Sequence, residues 1–248
     1  MFQNDFTNFS AQAYLKEYYS DLNPENKMLL SFYDKFYKSI PRVSTMLEVG
    51  GGPTIYQLIS ACEKVDSIVF SEFAESNRDE IKRFINGDKD AWNWDSYISY
   101  VLEKDGKIPT AKVIGKIKNK IRSKITRVIF CDIRVNDPLT PEKFPLFDLL
   151  SMGSVADSIA ATEEELQTCL KNAFSMLKSG GYFVGFFAKN FKTWTQLDTI
   201  YHIYPIDEKY VRDIFPKLGL KIIDLTNSQP PDYQQDYEGI FAVSAIKE

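Results

Sequence analysis

Three consecutive glycines, Gly50 to Gly52, directly follow a short apolar segment, and acidic residues end two later apolar segments. Glycine lets the backbone approach a ligand closely because it has no side chain. Glu72 lies 22 residues after Gly50, a spacing at which a carboxylate can bind both hydroxyls of a ribose. Asp132 ends the third such segment, where a carboxylate can face an adenine amino group. The pattern predicts a nucleoside-binding site.

The glycine segment does not fit two common phosphate-binding motifs. A dinucleotide motif, G-x-G-x-x-G, requires a third glycine at the position of Ile55, and a P-loop requires a lysine that is absent here. The bulky residues 53–56 that follow the glycines leave no room for a phosphate. A nucleoside with a short zwitterionic tail fits better and indicates S-adenosylmethionine. A tight turn without any nucleoside is the alternative that these residues leave open.

Composition excludes several classes of protein. The 248 residues are 44% hydrophobic and 26% charged with a net charge of −4, which is typical of a globular protein and favours one domain over 1–248. A single histidine, His202, excludes a multi-histidine metal site, and three widely separated cysteines fit no zinc motif. We expect no bound metal. The residues show neither a secretory leader nor an apolar run of roughly 18–20 residues, so we expect a cytoplasmic protein without membrane association.

The elements that must position these residues alternate along the chain. Strands are predicted at 45–49, 65–70, 127–131, 147–150, 182–187, 221–225 and 239–246, and helices at 23–40, 54–62, 74–85, 162–177 and 208–218. Such alternation predicts an α/β fold whose sheet is mostly parallel and covered by helices on both faces. Ligands of such sheets bind at the carboxyl ends of the strands, where the glycines and the two acids lie.

Residues 47–58, LEVGGGPTIYQL, resemble the small-amine N-methyltransferases that act on nicotinamide, phenylethanolamine and indolethylamine, together with their bacterial relatives. Similar segments, Tyr14 to Tyr19, Asp90 to Trp94, Leu177 to Gly181 and Tyr237 to Phe241, extend the resemblance over nearly the whole chain. It implies a Rossmann-like class I methyltransferase with a seven-stranded, mostly parallel sheet. It also implies an N-terminal helical lid (1–42), an insert before the third strand (86–125), and S-adenosylmethionine as cofactor with S-adenosylhomocysteine as product.

The same resemblance assigns residues to each part of the cofactor. These are Gly50, Gly51, Gly52, Thr54 and Tyr56 for the methionine portion; Glu72, Phe73 and Asn77 for the ribose; Asp132 and Ile133 for the adenine; Ser151 and Met152 beneath the sulfonium; and Tyr14 and Tyr19 as a cover.

Departures from the family concern the methyl acceptor. Phe187 stands where the nicotinamide enzyme has an aspartate, and Trp194 fills a later aromatic position. The acid expected after the fourth strand falls at position 156 or 157, which makes Asp157 the candidate to face an acceptor amine. Asp236 lies close to a position that is acidic in the phenylethanolamine enzyme. We predict an acceptor pocket that combines these carboxylates with the side chains of Tyr18, Phe187 and Trp194.

A small-molecule acceptor with a reacting nitrogen is the favoured interpretation. Methyl transfer to an oxygen or carbon atom of a secondary metabolite is the first alternative, because of Phe187. An RNA-associated protein is the second, because residues 104–127 carry nine basic residues and one acid. In that segment apolar residues recur every four positions, at Val113, Ile117, Ile121 and Ile125, which predicts an amphipathic stretch with a buried stripe and a solvated basic face. We therefore expect no nucleic-acid partner. We also expect the protein to be a monomer.

Overall fold

A seven-stranded sheet forms the centre of the computed structural model, which describes residues 5–228 and 237–248. Its strands are β1 (Val43–Val49), β2 (Val65–Glu72), β3 (Ile125–Phe130), β4 (Phe147–Gly153), β5 (Leu177–Ala188), β8 (Leu220–Asn227) and β9 (Ile240–Lys247), and a separate hairpin contains β6 (Thr193–Gln196) and β7 (Thr199–His202). The order across the sheet is β3-β2-β1-β4-β5-β9-β8. The first five strands are parallel, and β9 is antiparallel to both of its neighbours. The predicted, mostly parallel sheet is confirmed.

Helices cover both faces of this sheet, as predicted. They are α1 (Ala11–Tyr18), α2 (Pro24–Ser39), α3 (Leu58–Ala61), α4 (Glu75–Asn86), α5 (Asp95–Lys104), α6 (Ala111–Lys124), α7 (Ala156–Ile159), α8 (Glu163–Ser175) and α9 (Glu208–Ile214). Side-chain caps begin two of these helices: Asn23 accepts a hydrogen bond from the Asn26 amide, and Thr162 accepts one from the Glu165 amide. None of the helices that the structure describes is long and apolar enough for a membrane crossing.

Two hydrophobic cores lie on opposite sides of the sheet. One contains α2, α5 and the buried side of α6, and the other contains α8 and α9. Because successive side chains of a strand point to opposite faces, neighbouring residues of β5 belong to different cores. Cys62, Cys131 and Cys169 are free thiols that are buried in these cores.

Three predicted elements differ from the structure. The helix expected at 54–62 is reduced to the single turn α3, because residues 53–57 form turns that carry the chain away from the glycines. The helix expected at 208–218 ends at Ile214, and a separate 3₁₀ turn starts at Pro216, whose ring cannot continue an α-helix. The insert at 86–125 contains two helices, α5 and α6, and Ile114 adds to the predicted apolar stripe.

Candidate active site

A cavity of about 670 Å³ opens at the carboxyl ends of the parallel strands. It lies at the end of β1, next to β4, where the strand order of the sheet reverses, and this is the switch point at which ligands of such sheets bind. Its volume lies within the range of small-molecule sites. Most of the predicted site residues line it: Tyr14, Tyr18, Tyr19, Gly50, Gly51, Gly52, Thr54, Tyr56, Glu72, Phe73, Asn77, Asp132, Ile133 and Trp194.

The glycine loop needs its glycines for steric reasons. Gly50 and Gly52 have φ angles of +60°, a conformation that other residues rarely adopt. A Cβ atom on Gly51 would lie 2.3 Å from Cζ of the buried Phe70. The Thr54 hydroxyl donates to the Gly51 carbonyl over 2.8 Å and holds the turn. The result is a loop whose glycines line the cavity and present no side chain to a ligand.

Glu72 connects this loop to the start of α4. Its Oε2 accepts a hydrogen bond from the Gly52 amide (2.9 Å), and its Oε1 accepts from the Ala74 amide (2.8 Å) and from Asn77 Nδ2 (3.2 Å). Burial raises the pKa of Glu72, and these donors oppose the rise. The buried Oδ1 of Asn77 has no hydrogen-bond partner among the described residues. This wall therefore offers a carboxylate and an unsatisfied acceptor to ligand hydroxyls, which fits a ribose.

Arg134 is a cavity residue that the sequence interpretation missed. Its guanidinium donates to both carboxylate oxygens of Asp132 over 2.8 Å, and its centre lies 4.7 Å from the centroid of the Phe73 ring. The two flat groups line the cavity together, and flat faces of this kind suit a purine. A basic residue two positions after the acid at a strand end is the signal that could have identified it.

Glu48 is a second missed residue, and its signal is an acid inside an otherwise apolar strand. The carboxyl group lines the cavity just before Gly50, where Oε1 accepts from Gln57 Nε2 over 3.3 Å. Its Oε2 has no hydrogen-bond partner among the described residues. Burial raises the pKa of Glu48 to about 8, so the group is mostly protonated at neutral pH.

Aromatic rings from the N-terminal segment and the β6–β7 hairpin cover the cavity. The Trp194 ring lies 5.9 Å from Tyr14 and 6.0 Å from Tyr18, measured between centroids, and Tyr19 stacks on Tyr56 at 5.5 Å. The buried Gln196 side chain accepts from the Ser10 amide (3.2 Å) and donates to the Ser10 carbonyl (3.0 Å). The structure thus places Tyr14, one of the two predicted cover residues, against the predicted acceptor residue Trp194.

Three predicted site residues of β4 and β5 do not line the cavity. Phe187 packs against Phe241 in the core on the opposite face, at 5.6 Å between centroids, so its predicted place in the acceptor pocket is wrong. The neighbouring Phe186 lines the cavity instead, because side chains alternate along a strand. Ser151 and Met152 are fully buried within β4, and the cavity wall begins after them, at Gly153.

Asp157 also lies behind the cavity wall, and its predicted position facing an acceptor is corrected. Its Oδ2 accepts from Ser154 Oγ (3.0 Å) and from the Ala188 amide (3.3 Å), both of which belong to wall residues. Burial raises the pKa of Asp157 to about 6. The side chain therefore joins the loop after β4 to the end of β5. Asp236, the other predicted carboxylate, lies outside the described residues.

The far end of the cavity, beyond β4 and β5, has aromatic walls and one half-buried carboxylate. The aromatic residues are Tyr18, Phe186, Phe191, Trp194 and Tyr237. Glu25, in the first turn of α2, supplies the carboxylate. It was missed from the sequence because an acid in a first turn ordinarily stabilises the helix through the helix dipole. His202 ends β7 as an exposed residue and does not line the cavity.

The strand order, the glycine loop and the acid that ends β2 define the Rossmann-like fold of class I methyltransferases. The profile of the NNMT/PNMT/TEMT family matches residues 2–248, and the chain belongs to this family. It is an S-adenosylmethionine-dependent methyltransferase, with S-adenosylhomocysteine as the product.

Individual relatives agree with this assignment. Indolethylamine N-methyltransferase from Oryctolagus cuniculus is 29% identical over 71% of this chain and 68% of its own. Human nicotinamide N-methyltransferase is 24% identical over 97% of this chain and 94% of its own. The N-methyltransferase NodS from Bradyrhizobium japonicum WM9, solved with S-adenosyl-L-homocysteine, shares the fold with a TM-score of 0.57 at 14% identity, over 96% of this chain and 98% of that one.

Proposed function

We propose that this enzyme transfers the methyl group to a nitrogen atom of a small amine. The observation that carries the proposal is the carboxylate of Glu25, which lines the cavity beside the aromatic rings of Tyr237 and Phe191. Aromatic faces and a carboxylate together suit an amine, because both interact favourably with positive charge. Relatives named for nicotinamide, phenylethanolamine and indolethylamine support the same class of acceptor.

The bound cofactor supplies a methyl group that is already activated on a sulfonium. The residues of the chain then have to bind the cofactor and the acceptor, orient them towards each other, and exclude water. We assign the methionine portion to the backbone of Gly50 to Gly52 and the ribose to Glu72 and Asn77. Tyr14 and Tyr19 contribute the cover, where aromatic faces also favour the sulfonium charge.

The acceptor nitrogen must be held with its lone pair towards the methyl group. In this proposal the aromatic walls orient the body of the acceptor, and Ser154 and Ala188 form the floor between acceptor and cofactor. Asp157 acts as a positioning residue, since it holds both floor residues from behind. Most of the rate enhancement then comes from orientation rather than from a nucleophile of the protein.

Isotope-labelled S-adenosylmethionine tests the proposal directly. The enzyme is incubated with pooled primary, secondary and heteroaromatic amines, phenols, carboxylates and short RNA, and labelled products are identified by mass spectrometry. Label on an amine nitrogen is the expected result. Label on oxygen, carbon or RNA alone would overturn the nitrogen assignment, while the cofactor and the fold would stand.

A further inference from the structure

Glu25 occupies an unusual electrostatic position. Its half-buried carboxylate lines the cavity, where Oε1 accepts hydrogen bonds from the hydroxyls of Tyr237 (2.8 Å) and Ser228 (3.4 Å). Burial raises the pKa of Glu25, and these two hydroxyls oppose the rise. Among the described residues no cation pairs with this carboxylate. A partly desolvated carboxylate without a counter-charge is costly, and a cationic ligand would relieve that cost.

The two side chains that donate hydrogen bonds to Glu25 are themselves held in place by further contacts. Ser228 is fixed to β9, because its hydroxyl accepts from the Ile240 amide over 2.9 Å. Tyr237 is packed against Phe191 with ring centroids 4.7 Å apart, and both rings line the cavity. The carboxylate is thus held in one place beside aromatic faces, an arrangement that suits an ammonium group.

We propose that Glu25 is the specificity residue that binds the ammonium group of an alkylamine acceptor, so that the site selects amines that are cations at neutral pH over neutral heteroaromatic nitrogens. The ammonium group then gives one proton to the Glu25 carboxylate, and the neutral nitrogen attacks the methyl group with its lone pair. This inference rests on the proposed function and narrows its substrate class. Tyr237 is the positioning residue in this arrangement, since its hydroxyl orients the carboxylate.

Arg134 does not provide the missing counter-charge. It lies at the adenine end of the cavity, where its guanidinium is bound to both oxygens of Asp132. Glu17 and Glu72 are the other glutamates whose side chains line the cavity besides Glu48 and Glu25. Glu17 is exposed on α1, and Glu72 is engaged by backbone amides of the glycine loop. Glu25 is therefore the carboxylate at the aromatic end that is both partly desolvated and free of backbone donors.

A matched pair of ligands tests the inference by binding alone. 2-Phenylethylamine is a cation at neutral pH, and 2-phenylethanol is a neutral molecule of nearly the same shape. Calorimetry measures the Kd of each for the complex with S-adenosylhomocysteine, in the wild type and in Glu25→Gln. We expect the wild type to prefer the amine, and Glu25→Gln to weaken amine binding by about tenfold or more while alcohol binding changes little.

Two further variants control for structural effects. Glu164→Gln makes the same chemical change at an exposed acid in the first turn of α8, and both affinities should match the wild type. Tyr237→Phe removes one hydrogen bond but keeps the carboxylate, so the preference for the amine should persist in weakened form. Thermal unfolding of each variant verifies that it is folded, and the ratio of the two affinities does not depend on the folded fraction.

Distinct results would overturn the inference and the proposed function. If Glu25→Gln weakens both ligands equally, or the wild type shows no preference for the amine, Glu25 does not select the cation. If amines are methylated by the wild type and Glu25→Gln keeps the amine preference, the inference fails and the proposed function stands. If the wild type labels no amine nitrogen at all, the proposed function fails.

Discussion

At the scale of single residues, the site is defined by buried and half-buried carboxyl groups with different partners. Glu72 is engaged by backbone amides, Asp132 by a guanidinium, and Glu25 by hydroxyls, whereas one oxygen of Glu48 has no partner among the described residues. The partner decides what each group can do, because hydrogen bonds and charges stabilise the ionised form while burial alone stabilises the protonated form.

Glu48 should make folding stability depend on pH. Its folded-state pKa of about 8 lies above the ordinary glutamate value of 4.5, so the folded state retains a proton that the unfolded state has lost. The contribution of Glu48 to the free energy of unfolding is complete below the unfolded pKa and is lost as pH rises through about 8. Relative to Glu48→Gln, we expect wild-type stability to fall by about 1 kcal/mol per pH unit between those values.

Urea unfolding of the cofactor-free protein at several pH values measures this difference. Glu48→Gln keeps the shape of the side chain and cannot ionise, which makes the pair a direct comparison. Parallel pH profiles for the two proteins would show that Glu48 is ionised in the folded state at neutral pH.

Glu72→Gln should impair cofactor binding. The amide can present only one oxygen, so its NH₂ group would face either the Gly52 or the Ala74 amide, both of which need an acceptor. We expect the Kd for S-adenosylhomocysteine to rise by about tenfold or more, measured by calorimetry with Glu164→Gln as the control. An unchanged Kd would remove Glu72 from the cofactor site.

At the scale of elements, the strand ends and the segments that follow them build the cavity. The glycine loop follows β1, Glu72 ends β2, and the β6–β7 hairpin contacts the segment before α1. The rigid strands of the sheet determine where the glycine loop begins.

Alanine substitutions at two glycines should have opposite effects. Gly51→Ala places a methyl group against the buried Phe70 ring and should lower the free energy of unfolding by about 1–3 kcal/mol and weaken cofactor binding. Gly115→Ala lies within α6, with no atom near the added methyl group, and should raise stability by about 0.5–1 kcal/mol. Denaturant unfolding checks both, and a stable Gly51→Ala that binds normally would contradict the packing of the loop.

Gln196→Ala should loosen the cover of the cavity. The substitution removes two hydrogen bonds between the hairpin and Ser10, each of which contributes about 1 kcal/mol. We expect amide hydrogen exchange over α1 to accelerate by about tenfold, while exchange in β1 and β4 is unchanged. Thr199→Ala, an exposed change on the same hairpin, is the control, and equal exchange rates in all three proteins would show that Gln196 does not hold the cover.

At the scale of the whole molecule, the uneven distribution of charge has a structural explanation. Residues 104–127 carry the excess of basic residues, and α6 directs several of them to acids of other elements. Lys118 pairs with Asp95 and Lys120 with Glu63. The basic face is thus partly neutralised within the protein.

We therefore expect no appreciable binding of short RNA. Fluorescence anisotropy with a labelled oligonucleotide should show no saturable binding at about 50 mM salt, where phosphate contacts are strongest. Micromolar binding that weakens by about 1000-fold at about 200 mM salt would instead indicate a nucleic-acid surface on α6.

The sequence by itself determined the alternation of strands and helices, the glycine turn, and the acids at the ends of β2 and β3. These features are local: a cap, a turn or an alternating apolar pattern is specified by residues within a few positions of one another. The spacing from Gly50 to Glu72 also succeeded, because one strand, one turn and one helix separate the two.

Tertiary structure alone decided which side chains meet in the cavity. Phe186 rather than Phe187 lines it, because the register of β5 against its neighbours fixes the face to which each residue points. Glu25 meets Tyr237 across 212 residues of sequence, at a distance that no local pattern encodes. Such contacts arise only when the sheet brings distant strand ends to one edge. They also determine whether an acid has a structural role, as Asp157 does, or lines the cavity, as Glu25 does.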